Sequence, residues 1–127
     1  MEKYIASGND HAPEVCLDKE NNIFTISGRS IPENAIAVYS PIIDWWREYI
    51  QAPNPTTTLD LNFEYINSSS MKQMAKLLTM LDSIPADLSK VTVRWHYSTD
   101  DLDSKMHAER LAKMVKFTVK VIADSEK

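Results

Sequence analysis

Between residues 59 and 81 the spacing of apolar positions changes once, and sharply. Leu59, Leu61, Phe63 and Tyr65 alternate with Asp60, Asn62 and Glu64, the period-two pattern of a half-buried strand. From Met71 through Met74, Ala75, Leu78 and Leu81 the spacing becomes that of an amphipathic helix. Val91, Val93, Trp95 and Tyr97 alternate in the same way with Thr92, Arg94 and His96, predicting a second such strand. Upstream, Val15–Leu17 and Ile23–Ser27 flank the turn Lys19-Glu20-Asn21-Asn22 and predict a hairpin, closed by Gly28. Ile36, Tyr39, Ile43, Trp46 and Ile50 share one helical stripe with Ile42 and Tyr49. Pro41 falls inside it. The stripe continues through the proline, which favours one kinked helix over a fresh start at Ser40-Pro41. Trp45 sits beside the stripe, as a half-exposed candidate contact for a partner. Thr99-Asp100-Asp101 caps a third helix with Met106, Leu111 and Val115 inward, and Phe117, Val119 and Val121 form a last strand. Residues 1–12 are polar and aperiodic, a loose or short edge segment.

Strands that alternate with helices over short connections require right-handed crossovers and a largely parallel arrangement. Parallel strands covered on both faces are apolar throughout, whereas these keep one polar face. The expected fold is therefore α/β: a mixed sheet of about five strands with helices packed on one face. At 127 residues, 43% hydrophobic and 25% charged, the chain fits a single globular domain over 1–127. A net charge of −4 argues against a nucleic-acid surface, which carries a basic stripe. One cysteine, Cys16, forms no internal disulfide and suits a reducing cytoplasm. No apolar run reaches the roughly 18 residues of a membrane span, so a cytoplasmic protein is expected.

Candidate catalytic chemistry is thin. Asp60, Asn62 and Glu64 share a sheet face with Arg94 and His96, and a solvated face with cross-strand ion pairs accounts for them. His11, His96 and His107 are scattered, not at ligand spacing. Ser68, Ser69 and Ser70 lack the flanking glycines of a nucleophile elbow. No glycine-rich loop is present to cradle a nucleotide. No catalytic residue, metal or cofactor is expected.

The three serines instead occupy the turn between the central strand and its helix. Ser and Asn are preferred helix caps, and one residue suffices for that; Ser69 and Ser70 are expected to serve so. A further exposed hydroxyl there suits a phosphate, which adds roughly −1.5 to −2 charges beside a helix N-terminus. Lys72 and Lys76 follow one and two turns later. Asn67, Ser69, Ser70, Lys72, Lys76 and Trp45 are the candidate partner-binding residues.

A strand ending in an Asn-Ser-Ser turn that opens a helix resembles the phosphorylation site of STAS-type anti-anti-sigma factors. The whole chain is more similar to a relative of these, the SiaC family of bacterial regulatory phosphoproteins. The matching pieces are Pro32-Glu33-Asn34, Pro41-Ile42-Ile43-Asp44-Trp45 with Tyr49, Tyr65-Ile66-Asn67-Ser68-Ser69-Ser70, and Trp95-His96-Tyr97 followed by Asp100-Asp101. They run in order over nearly the full length. The resemblance implies a STAS-like fold and phosphorylation of the hydroxyl residue directly after the Asn, here Ser68. It implies three partners: an anti-sigma-type serine/threonine kinase, a PP2C-like phosphatase, and an effector such as a diguanylate cyclase activated by the unphosphorylated form. Control of cyclic-di-GMP and biofilm formation would follow. Ser70 stands where anti-anti-sigma factors usually carry Gly, and Leu102 to Glu109 match the family only loosely. The alternative function is a STAS-like module that binds a small ligand on its polar sheet face.

Overall fold

Residues 1–124, described by the computed structural model, form six strands and three helices. In chain order they are β1 (Tyr4–Ala6), β2 (Glu14–Asp18), β3 (Ile23–Ser30), α1 (Ala35–Tyr49), β4 (Thr56–Ile66), α2 (Ser68–Leu81), β5 (Lys90–Ser98), α3 (Leu102–Ala112) and β6 (Thr118–Asp124). The sheet order is β1-β2-β3-β4-β5-β6. The β1–β2 and β2–β3 pairs are antiparallel, and the three pairs from β3 to β6 are parallel. The predicted α/β class and the N-terminal hairpin are both observed. The sheet has one strand more than expected, because the polar N-terminal segment pairs along β2, with Tyr4 opposite Leu17.

Three successive crossovers put α1, α2 and α3 on the same face. Leu59, Leu61 and Phe63 of β4 point into that layer with Val91, Val93 and Trp95 of β5. They meet Tyr39, Ile42, Trp46 and Tyr49 of α1, and Met74, Leu77, Leu78 and Leu81 of α2. The opposite face stays polar. Arg94 lies 3.5 Å from Asp60, and His96 bridges Asp60 and Asp124 at 3.2 and 3.4 Å, the cross-strand pairing expected of a solvated face.

Helix α1 runs unbroken through Pro41, and its buried arc keeps Tyr39, Ile42, Ile43, Trp46 and Tyr49 of the predicted stripe but gains Trp45 and loses Ile36. Trp45 is only 8% exposed, and Ile36 is 65% exposed. Trp45 is covered because the N-terminal segment lies against the helix, where Glu2 O accepts its indole N–H at 2.8 Å. Trp45 then stacks on Tyr49 with ring centres 5.4 Å apart. It belongs to the core and offers no surface to a partner. In α3 the inward positions are Ser104, Ala108 and Leu111, and Met106 faces outward. The small side chains let the helix approach β5, so that Trp95 donates its indole N–H to Ser104 Oγ at 2.9 Å.

The alternation of β4 also breaks near its end. The pairing with β3 slips between Gly28 and Arg29, so that Phe63 faces Gly28 but Tyr65 faces Arg29. Glu64 is the extra residue of a β-bulge, and Tyr65 becomes exposed. Gly28 takes a φ of +97°, a conformation that costs glycine little and other residues more. β3 does not stop at this glycine, as the sequence predicts, but continues beyond it to Ser30.

Candidate functional site

The strand-to-helix turn is built by Asn67, not by the serines. The Asn67 side chain accepts the Ser70 backbone N–H at 2.9 Å, and its backbone oxygen accepts that of Met71 at 2.9 Å. Asn67 is therefore the cap, and Ser68, Ser69 and Ser70 are the first three residues of α2. The expectation that Ser69 and Ser70 cap the helix is corrected accordingly.

The same asparagine ties the turn to the neighbouring strand end. Its backbone N–H donates to Ser30 O at 2.9 Å, and its side-chain amide donates to Pro32 O at 3.3 Å. Beneath the turn lies a row of buried hydroxyls. Ser30 Oγ donates to Ser70 Oγ at 2.9 Å and sits 2.7 Å from the Tyr39 hydroxyl. Since the single Ser30 proton goes to Ser70, Tyr39 is the donor to Ser30. Burial pushes the Tyr39 hydroxyl up to about 12, against the opposing pull of its serine neighbours, so this donor keeps its proton at neutral pH.

These contacts sort the predicted residues. Ser68 and Ser69 are exposed, as are Lys72 and Lys76, and Asn67 is half-buried. Ser70 is fully buried and cannot touch a partner directly. Trp45 is in the core, as described above. Ser68, Lys72 and Lys76 recur every four residues, so they form one exposed line down α2. The first turn of α2 carries no acidic residue, which leaves the positive end of the helix dipole unneutralised. In α3, by contrast, Asp101 caps the helix and Asp103 stands in its first turn. Sequence reasoning missed Ser30, Pro32 and Tyr39 as supports of the turn. The available signals were a serine ending an apolar strand and a tyrosine in the first half of the α1 stripe, whose hydroxyl needs a partner once buried.

Beside the turn, β4 and β5 part after the Leu61–Trp95 pair. A cleft of about 510 Å³ opens there, lined by Glu64, Tyr65, Asp100, Asp103 and His107 among others. Among the described residues no group of three or more His, Cys, Asp or Glu could hold a metal ion.

The model of the SiaC family, described as regulatory phosphoproteins, matches residues 6–124. The chain belongs to the SiaC family. An uncharacterised protein of Pseudomonas aeruginosa strain UCBPP-PA14 is 30% identical over 90 residues, 71% of each chain. Two solved structures of SiaC from Pseudomonas aeruginosa, one of them the apo form, superpose with TM-scores of 0.84 and 0.83 at 26% identity. The apo form is matched over 97% of the present chain and 100% of its own, the other over 98% and 100%. A third structure holds SiaC as the activator of the diguanylate cyclase SiaD, in complex with it. That match has a TM-score of 0.84 at 25% identity and covers 95% of this chain and 99% of that one. The SiaC fold thus extends over almost all of the described residues, and this family member is a regulatory phosphoprotein.

Proposed function

We propose that Ser68 is the phosphoacceptor, and that its phosphate switches this SiaC-family protein between partners. One observation carries the reading: the residue after the capping Asn67 is an exposed hydroxyl at the first position of a helix whose first turn has no carboxylate. A phosphate there meets the helix dipole, worth about 0.3–1 kcal/mol to an anion, and has Lys72 one turn below. The fold tolerates it. A docked partner does not, because a buried dianion without a basic counterpart brings desolvation and repulsion.

In this reading the chain has no catalytic activity of its own and works in the cytoplasm. An anti-sigma-type kinase adds the phosphate and a PP2C-like phosphatase removes it. The unphosphorylated form binds and activates an effector, and a diguanylate cyclase is the effector that the SiaC–SiaD complex supports. Among the described residues no helix is long and apolar enough to cross a membrane.

Ser68→Ala is expected to abolish phosphorylation and keep effector binding. Ser68→Asp is expected to fold as the wild type and bind the effector weakly. Phosphopeptide mapping that places the phosphate on Ser69, or finds none with the kinase present, would overturn the assignment.

A further inference from the structure

The buried hydroxyls beneath the turn touch no partner, yet they determine how the turn faces one. Successive helical residues rotate by about 100°. Ser70 is held inward by Ser30 Oγ at 2.9 Å and is fully buried. Ser68, two residues earlier, is therefore turned roughly 200° from it, away from the sheet. Ser69 falls on the flank between them. From this geometry we infer that Ser70, Ser30 and Tyr39 are positioning residues that select which hydroxyl of the turn receives the phosphate. The inference rests on the Ser68 reading and adds the device that makes the choice.

The device has a defined direction and a defined reach. Tyr39 donates to Ser30, and Ser30 donates to Ser70, so α1, the end of β3 and the start of α2 are linked by side chains alone. The backbone bond from Asn67 N–H to Ser30 O adds a second tie, and the Asn67 amide to Pro32 O a third. All three ties converge on the short segment Ser30–Pro32. Loss of the side-chain link weakens the cap and frees the first turn to rotate and fray, which lets Ser69 compete with Ser68 for the phosphate. Ser70 itself is excluded as an acceptor, because its hydroxyl is engaged and no kinase can reach it.

The test compares Ser70→Ala, Ser30→Ala and Tyr39→Phe with the wild type. Each protein is produced with its kinase, and the phosphate is located by peptide mapping. In Ser70→Ala and Ser30→Ala the ratio of phosphate on Ser69 to that on Ser68 is expected to rise roughly tenfold, the factor one buried hydrogen bond can carry. Tyr39→Phe, which keeps the ring, is expected to shift it less. Amide hydrogen exchange supplies a second reading without the kinase. The Ser70 and Met71 amides are expected to exchange roughly tenfold faster in Ser70→Ala, with those of Leu77 and Leu78 unchanged. A merely structural role would lower the melting temperature, leave the phosphate ratio fixed and quicken exchange along the whole helix. That result would overturn the inference. A wild type without phosphate on Ser68 would instead overturn the proposed function, and the exchange data would still decide whether the hydroxyls fix the turn.

Discussion

Asp18 shows how much one side chain can do at the N-terminal hairpin. Its carboxylate accepts the Asn21 side-chain amide at 2.8 Å and the Asn21 backbone N–H at 3.2 Å. These bonds, the side-chain one first, hold its carboxyl below the usual 3.8. A depressed folded value means that the contribution is present above the unfolded value and is lost as pH falls through the folded one. Asp18→Ala is thus expected to melt below the wild type near neutrality, with the gap closing as the pH falls below 3.8. Thermal melts across that range check it, and a gap that stays constant would assign the bonds no role. The serines make a different point. Ser68 and Ser70 are the same residue in the same turn, but Ser70 stands four and eleven residues before Met74 and Leu81, on the buried stripe of α2, and Ser68 does not. What the spacing does not show is the partner of the inward hydroxyl, Ser30, which lies 40 positions from Ser70 in the chain. Long-range hydrogen bonds of this kind leave no periodic trace.

At the level of elements, α2 follows its spacing closely, with Met74, Leu78 and Leu81 fully enclosed. Leu78→Ala is expected to cost about 2–5 kcal/mol through the cavity it opens. A urea melt showing a loss under about 0.5 kcal/mol, the range of neutral surface changes, would mean that the stripe does not face the core. The other two helices were less legible, for reasons visible in their contacts. In α1 the buried arc is widened by a neighbour, since the N-terminal segment covers Trp45. In α3 the inward positions include Ser104 and Ala108, small residues that a search for large apolar side chains passes over. Met106, large enough to satisfy such a search, is exposed. Likewise the alternation of β4 held up to the bulge at Glu64, where one inserted residue turned Tyr65 outward.

Taken as a whole, the molecule presents two unlike surfaces, a polar sheet face stitched by ion pairs and a helical face bearing the Asn67–Ser70 turn. The helical face carries the proposed switch, and Lys72 lies on its exposed line. Lys72→Glu is expected to weaken binding of the kinase or the cyclase by calorimetry and leave the melt nearly unchanged. Equal affinity would remove Lys72 from the interface. The fold class was legible because each strand and helix declares itself locally, whereas the extra strand was not, because Tyr4–Ala6 is held by pairing with β2 and not by its own composition. The strand order has one more consequence, for assembly. Each strand pairs only with those just before and just after it in the chain. Growth of the sheet can therefore proceed outward from the hairpin, one crossover at a time, without inserting a strand between two already joined. Each closure spans only the loop and helix between adjacent strands, which keeps its entropy cost modest. Such a chain has little need to undo earlier pairings, the step that traps folds whose strands interleave.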